Sequence, residues 1–196
     1  MIGYGFMTKV FIADVSELKS IDLYKNCVSE YRYIKVEKIN NVQQQFLSIG
    51  AELLLYDYLG RVPDYKIDEY GKPYGEEVEF NFSHSGNIAV CAVSEYPVGV
   101  DVEKIRDVNF DVAKRNFSKK EYEKFLNSQN PEETFFEIWV KKESYAKALG
   151  TGLRSKLSDL DTEAVTDWQF YIQDIDGYKI CVCTNEEPEF IIKNLS

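Results

Sequence analysis

The order of hydrophobic and polar residues predicts a mixture of strands and helices. Residues 8–14 and 98–103 alternate between apolar and polar side chains, which is typical of half-buried strands. Residues 78–82 and 88–93 are apolar runs on either side of a turn that contains Gly86, which indicates a β-hairpin. A second hairpin is predicted over residues 165–172 and 178–184, around Asp176 and Gly177.

Three helical patterns complete the prediction. Residues 42–59 carry apolar side chains at helical spacing, and Gly60 suits the end of that helix. Ser118 with Glu121 forms a capping-box pattern and predicts a helix over 119–127, while Thr134 with Glu137 repeats the pattern and predicts a helix ending near Gly150. Because hairpins predominate over βαβ units, the predicted class is α+β with mainly antiparallel sheet.

Composition narrows the function classes. The 196 residues include 23 basic and 33 acidic side chains, a net charge of −10, which argues against a general nucleic-acid or anionic-membrane binder. No apolar run approaches the ~20 residues that span a bilayer, and residues 1–18 do not read as a signal peptide. Four cysteines without a CxxC pair and one histidine do not make a zinc site, and Cys181 and Cys183 suit a strand's core face. We therefore expect a soluble protein of a reducing compartment, the cytoplasm.

Candidate chemistry begins with two carboxylates. Asp101 and Glu103 are two residues apart on a predicted strand, so both project from one face and can share a cation. A solvated strand face explains the same pattern. On the last helix, Glu143 and Lys147 continue one stripe, beside Lys142; an ordinary amphipathic helix is the alternative.

Two further places carry groups suited to phosphate. Ser83 and His84 lie at the mouth of the first hairpin, although adjacent strand residues face opposite ways and so do not form a nucleophile–base pair. Lys72 and Pro73 form a rigid turn that presents a lysine. A structural histidine and an exposed lysine are the alternatives.

Taken in order, these segments resemble the Sfp-type 4′-phosphopantetheinyl transferases. The most specific match is the family pattern WxxKExxxK over residues 139–147, followed by the GxGL pattern over residues 150–153. The other matching segments are Gly71-Lys72-Pro73-Tyr74, Phe80-Asn81-Phe82-Ser83-His84-Ser85, Val98-Gly99-Val100-Asp101-Val102-Glu103 and Phe117-Ser118-Lys119-Lys120-Glu121-Tyr122.

The resemblance implies both a fold and a reaction. The fold has two pseudo-symmetric halves, each a mainly antiparallel sheet packed with helices, with the active site between them. The halves would be residues 1–97, on the coenzyme A nucleotide side, and 98–196, with the boundary near Tyr96–Gly99. The reaction moves the phosphopantetheine of coenzyme A to a serine of an apo acyl or peptidyl carrier protein, with Mg²⁺, and releases adenosine 3′,5′-bisphosphate. A monomer is expected.

Residue roles follow as hypotheses. Asp101, Glu103 and Glu143 would ligate Mg²⁺. Glu143 would also take the serine proton, and Lys147 would bind and stabilise the developing negative charge. The remaining phosphate contacts would come from Lys142, Ser83 and His84, and the 3′-phosphate and adenine end would be held by Lys72 and Pro73. Glu121 resembles a family position near the metal site, but its capping-box role explains it equally well, so it is not assigned to the site.

Some features leave alternatives open. Family members often carry arginines where this chain has Gln43-Gln44-Gln45, so Lys35 or Lys38 would substitute or coenzyme A would bind more weakly. The basic segment 113–125 is a candidate carrier-docking surface, with Phe117 or Tyr122 as apolar contacts, or a solvated helix face. A coenzyme A binder without activity and a magnesium phosphohydrolase are the competing functions.

Overall fold

The computed structural model describes residues 7–150 and 156–195, and within them the fold is α+β with mainly antiparallel sheets, as predicted. Nine strands are described: β1 (Lys9–Asp14), β2 (Lys66–Ile67), β3 (Pro73–Tyr74), β4 (Glu79–Ser85), β5 (Ile88–Ser94), β6 (Gly99–Lys104), β7 (Gln169–Ile175), β8 (Tyr178–Thr184) and β9 (Glu189–Ile192). Five α-helices are described: α1 (Glu30–Glu37), α2 (Val42–Leu59), α3 (Phe110–Asn116), α4 (Lys119–Leu126) and α5 (Pro131–Leu149).

The strands form two larger sheets and one short hairpin. The first sheet has the order β4-β5-β1-β9, in which β9 runs parallel to β1 and the other pairs are antiparallel. The second sheet has the order β6-β8-β7 and is entirely antiparallel. Strand β9 comes from the predicted second half of the chain but pairs with β1 in the first sheet. The division into two halves near Tyr96–Gly99 stays a prediction.

The two sheets pack face to face around one apolar core. Val10, Ile12 and Val90 of the first sheet meet Val100 and Ile180 of the second, and all five side chains are fully or almost fully buried. Burial of each such side chain contributes about 1.5–3 kcal/mol. The outer face of the first sheet is covered by α2, and α1 packs on α2; α5 packs on the second sheet beside α3 and α4. Each sheet therefore has its own helical layer.

Side chains of β4 join the edges of the two sheets. The amide of Val100 donates to Asn81 Oδ1 (3.1 Å), that of Val102 to Ser83 Oγ (3.3 Å) and that of Lys104 to a third polar side chain, Ser85 Oγ (3.1 Å). We call this row of contacts the β4–β6 seam. It satisfies edge-strand amides that would otherwise lack a partner, and it aligns the predicted phosphate-binding strand with the predicted metal-binding strand.

Some elements begin elsewhere than the sequence pattern predicts. Helix α5 begins at Pro131, so the predicted capping box of Thr134 and Glu137 is wrong; Thr134 is already inside the helix, with its hydroxyl against Ser128 Oγ (2.6 Å). Strand β7 begins at Gln169 rather than at residue 165. The capping box of Ser118 and Glu121 is confirmed.

Candidate active site

A glycine brings α5 into contact with β6. A Cβ atom on Gly99 would lie 1.9 Å from the carbonyl oxygen of Ser144 and 2.4 Å from the amide nitrogen of Ala148. Only glycine therefore permits this distance between the helix and the strand. The close approach brings Lys147, on the last turns of α5, onto the β4–β6 seam.

Asp101 is the buried centre of this arrangement. Its Oδ1 accepts hydrogen bonds from Lys147 Nζ (2.7 Å) and Ser83 Oγ (2.8 Å). Burial raises the pKa of Asp101, and the Lys147 ammonium and the Ser83 hydroxyl act against that rise. Within the described residues, Oδ2 of Asp101 is the one buried side-chain nitrogen or oxygen atom that has no hydrogen-bond partner. A buried carboxylate oxygen in this condition is suited to a ligand or a cation.

Lys147 connects the two predicted halves. Besides Asp101, its ammonium donates to Ser83 Oγ (3.0 Å) and to the carbonyl oxygen of Val100 (3.0 Å). These three acceptors match the three protons of an ammonium group. The predicted catalytic lysine therefore contacts the predicted phosphate-binding serine and the predicted metal ligand at the same time.

The second strand carboxylate is held in a similar way. Glu103 Oε2 accepts from Ser85 Oγ (2.9 Å) and from Arg106 Nη1 (2.9 Å). The guanidinium of Arg106 also lies 5.0 Å from the centre of the Phe136 ring. Glu103 is half-buried, whereas Arg106 is exposed.

Glu143 shares the electrostatic environment of these groups. Burial raises the pKa of Glu143, and the negative charges of Asp101 and Glu103 raise it further, against the opposing charge of Lys147. Mutual repulsion among three carboxylates is what a divalent cation would relieve. As the side chains stand, however, no three His, Cys, Asp or Glu residues in the described ranges form a group spaced to hold a metal ion. The donor chemistry fits Mg²⁺, but the three carboxylates are neighbours and not a closed coordination set.

Positive charge surrounds His84. Part of the imidazole reaches solvent, but protein encloses enough of the ring for desolvation to lower its pKa, and Lys147, Arg32 and Lys35 lower it further. Lys35 is one of the two lysines that the sequence offers in place of the family's arginines. Arg32 was missed by the sequence analysis, although its three-residue spacing from Lys35 was a usable signal.

Arg32 is fixed by a partly buried network behind the hairpin. Its Nε contacts Glu52 Oε2 (2.7 Å), its Nη1 donates to Ser48 Oγ (3.0 Å), and its guanidinium lies 5.3 Å from the centre of the Phe82 ring. Tyr65 also donates to Glu52 Oε2 (2.5 Å). Glu52 is fully buried; Arg32 compensates its charge, and Tyr65 supplies a hydrogen bond to the same carboxylate.

The glutamines at the start of α2 have local partners. Gln43 Nε2 donates to Asn87 Oδ1 (2.9 Å), and Gln45 Nε2 donates to the carbonyl oxygen of Ile39 (2.8 Å). Gln43 therefore supports the hairpin turn that follows His84.

Lys72 contacts the far end of α5. Its Nζ donates to the carbonyl oxygen of Ala148 (3.3 Å), and its aliphatic part lies next to Gly150, which ends the helix at φ +66°. Pro73 opens β3, which pairs with β2. The structure thus brings this turn to the end of the helix that carries Glu143 and Lys147. Thr151, Gly152 and Leu153 of the GxGL pattern lie outside the described residues.

Lys142 lies away from these groups, on the α4 side of α5. Its side chain is 0% exposed, and its Nζ contacts Glu121 Oε2 (2.7 Å), the carbonyl oxygen of Leu157 (2.7 Å) and that of Leu160. Glu121 also accepts from the amide of Thr162 (3.0 Å). In this geometry the three protons of Lys142 are used inside the protein, which does not favour its predicted contact with phosphate.

Comparison with known proteins shows which family this chain resembles. The sequence pattern of "ACPS: 4′-phosphopantetheinyl transferase superfamily" matches residues 97–191. The 4′-phosphopantetheinyl transferase gsp of Aneurinibacillus migulanus is 39% identical over 125 residues, which cover 58% of this chain and 52% of that protein. The 4′-phosphopantetheinyl transferase Sfp of Bacillus subtilis strain 168 is 34% identical over 145 residues, which cover 64% of both. The chain is similar to the 4′-phosphopantetheinyl transferase superfamily over residues 97–191 and to these transferases over more than half of its length.

The superfamily match has a definite extent. It includes Asp101, Glu103, Glu143 and Lys147, and it begins after the Lys72 turn and the Ser83–His84 strand. The chain spans about half to two thirds of the length of the curated relatives described above. The crystal structure of Thermotoga maritima holo-[acyl-carrier-protein] synthase aligns with 46% of this chain and 63% of its own, at 22% identity and a TM-score of 0.39, which is too low to support an inference. Among the described helices, none is both long and apolar enough to cross a membrane.

Proposed function

We propose that the protein transfers the 4′-phosphopantetheine group of coenzyme A to a serine of an apo acyl or peptidyl carrier protein. The observation that supports this most strongly is the contact of Lys147 with both Asp101 and Ser83, within 3.0 Å, at the seam between the two sheets. It brings a predicted metal ligand, a predicted phosphate contact and a cation to one place, in a chain that is similar to the transferase superfamily.

In the proposed reaction, the carrier serine oxygen attacks the β-phosphorus of coenzyme A. A new bond joins that oxygen to phosphorus, and the bond from phosphorus to the leaving adenosine 3′,5′-bisphosphate breaks. Glu143 takes the serine proton directly or through water. Lys147 stabilises the negative charge that develops on the phosphoryl oxygens.

Mg²⁺ would be held by Asp101, Glu103 and Glu143, and when bound it would neutralise charge on the diphosphate. The Oδ2 atom of Asp101, buried and without a partner among the described residues, supports this assignment. His84 and Ser83 would contact phosphate oxygens, with Arg32 and Lys35 adding positive charge near His84. Lys72 and Pro73 would hold the 3′-phosphate and adenine end. Lys142 is not part of this proposal, because its protons are used by Glu121 and two carbonyl groups.

The carrier would dock on α3, α4 and the residues between them. Lys114, Arg115, Lys119 and Lys120 are exposed there, whereas Lys124 is paired with Glu163. Phe117 is buried and does not offer the apolar contact suggested for it; half-buried Tyr122 does. We place this activity in the cytoplasm, where thiols such as the four free cysteines stay reduced.

The test is incubation with a panel of apo carriers, coenzyme A and Mg²⁺, followed by intact mass measurement of each carrier. Transfer adds the phosphopantetheinyl group, a gain of about 340 Da on one serine, as positioned phosphoryl transfer requires. Release of free phosphopantetheine or phosphate without carrier modification would instead indicate a phosphohydrolase. Coenzyme A binding with neither product would indicate a binding protein. Either the phosphohydrolase result or the binding-only result would overturn the proposal.

A further inference from the structure

The β4–β6 seam repeats one arrangement twice, two residues apart. Ser83 Oγ accepts the amide of Val102 (3.3 Å) and donates to Asp101 Oδ1 (2.8 Å). Ser85 Oγ accepts the amide of Lys104 (3.1 Å) and donates to Glu103 Oε2 (2.9 Å). Each serine therefore connects one carboxylate to the backbone of the strand that carries it.

The chemistry of a hydroxyl group explains why serine occupies both positions. A hydroxyl donates one hydrogen bond while its lone pairs accept others, so it can bind an amide and a carboxylate together. Asn81, at the preceding seam position, accepts the amide of Val100 (3.1 Å) through its carbonyl oxygen. Among the contacts described, Asn81 therefore joins β4 to β6 without binding a carboxylate.

We infer that Ser85 is a positioning residue for Glu103, and that Ser83 does the same for Asp101, so that the seam sets the direction of the two strand carboxylates for a divalent cation. This inference rests on the proposed function. Three observations support it: the repeat itself, the 8% exposure of the Asp101 side chain, and the partnerless Oδ2 atom of that side chain within the described residues. The second contact to Glu103 comes from exposed Arg106 and is expected to add little.

Ser85 gives the cleaner test of the two. Ser83 also contacts Lys147, so its replacement would change the catalytic lysine as well. Ser85→Ala removes only the hydroxyl that joins Lys104 to Glu103, and Ser85→Thr restores a hydroxyl on a β-branched residue that a strand accepts. Asn81→Ala is the matched control, because it removes a seam hydrogen bond without removing a carboxylate partner.

The measurement is Mn²⁺ affinity by electron paramagnetic resonance, with coenzyme A present, for the full chain and the three variants. Groups that orient metal ligands typically contribute about 10–100-fold to metal affinity. We expect Ser85→Ala to weaken Mn²⁺ binding about tenfold, Ser85→Thr to recover most of that loss, and Asn81→Ala to bind Mn²⁺ as the natural chain does. Urea unfolding of the same proteins measures how far each change weakens the seam.

The outcomes separate the inference from the proposed function. If Ser85→Ala binds Mn²⁺ as tightly as the natural chain, the positioning role is wrong and the proposed function stands. If Asn81→Ala and Ser85→Ala lose affinity equally, and in proportion to their loss of stability, Ser85 acts only through the seam and the inference is also wrong. If the natural chain itself does not bind Mn²⁺, both the inference and the metal assignment of the proposed function fall.

Discussion

Two opposing effects determine the pKa of Asp101. Burial raises its pKa, and the adjacent Lys147 ammonium and Ser83 hydroxyl stabilise the ionised form. Because the net direction is upward, the ion pair only partly offsets the cost of burying the carboxylate. A second cation at Oδ2 would complete that compensation, which is the electrostatic basis of the proposed metal site.

Glu143→Gln tests the proposed base. The amide keeps the size of the side chain but cannot take a proton, so we expect kcat to fall by about 10²-fold or more while coenzyme A still binds. Intact-mass kinetics with an apo carrier measures turnover, and calorimetry measures coenzyme A binding. Glu137→Gln on the same helix, which breaks a half-exposed ion pair with Lys141, is the control. A Glu143→Gln variant with near-normal kcat would contradict the assignment.

His84 gives a pH-dependent prediction. Its pKa is lowered in the free protein by desolvation and nearby positive charge, so the imidazole stays neutral down to a lower pH than an ordinary histidine does. A bound phosphate would raise that pKa, and binding would then take up a proton. Coenzyme A affinity should therefore rise as the pH falls from 8 to 6.5, by at most about tenfold per pH unit for one proton.

The chain contains one histidine, which makes the measurement specific. Calorimetry in two buffers of different ionisation enthalpy counts the protons taken up. His84→Gln removes the titrating group, so its proton uptake should differ from that of the natural chain by the histidine contribution alone. Equal proton uptake in the two proteins would show that His84 does not contact the phosphate.

The sequence predicted individual site residues to different extents. Asp101, Ser83 and Lys147 do meet, as the resemblance implies. Strand alternation and helical spacing give the face on which each side chain lies, and the close approach of α5 at Gly99 brings these faces together. Lys142 was placed with them from the motif alone. Whether a lysine next to Glu143 faces phosphate or a buried glutamate depends on the packing of α4, which the local sequence does not encode.

At the scale of elements, α5 is held on its other side by one buried ion pair. Lys142 and Glu121 are both almost completely buried, and together they contact α4 and the segment Leu157–Thr162. Because successive side chains on a helix are about 100° apart, fixing Lys142 toward α4 also fixes the direction of Glu143. The pair therefore has a structural role in the chain as described.

Lys142→Met tests this role through stability. Removing one partner leaves Glu121 charged and buried, which should cost about 3–5 kcal/mol of the free energy of unfolding. Lys141→Met is the matched control, since it breaks a partly exposed pair with Glu137 worth about 0.3–0.5 kcal/mol. Urea unfolding measures both. If the two variants are equally stable and Lys142→Met instead weakens coenzyme A binding, Lys142 contacts phosphate after all.

Element boundaries followed the sequence where periodicity was strong. Helix α2 formed over the predicted residues, and β4 and β5 pair as the predicted hairpin, because their apolar patterns and turn glycines agree. Strand β4 ends at Ser85 rather than at Phe82, because residues 83–85 continue its pairing with β5. The start of α5 did not, because Pro131 at the first helical turn outweighed a capping pattern inside the helix. Strand β9 is only four residues long, and its parallel pairing with β1 depends on a contact between residues about 180 positions apart.

For the whole molecule, the net charge is negative, whereas the proposed docking surface is locally positive. The chain carries a net charge of −10, so its overall field would repel an acidic carrier. The exposed basic residues on α3 and α4 would have to overcome this repulsion over a short range. Such a surface acts mainly on the association rate and weakens as salt increases.

The double variant Lys119→Glu/Lys120→Glu tests that surface. It reverses two exposed charges at the start of α4, so we expect KM for an acidic carrier to rise about tenfold with KM for coenzyme A unchanged. Lys19→Glu/Lys25→Glu alters the net charge by the same amount at exposed positions before α1. If the control raises KM equally, the overall field governs the encounter; if neither variant does, the carrier docks elsewhere. Repeating the assays with added salt should reduce the difference between the natural chain and the α4 variant, because screening removes the local attraction that the variant has already lost.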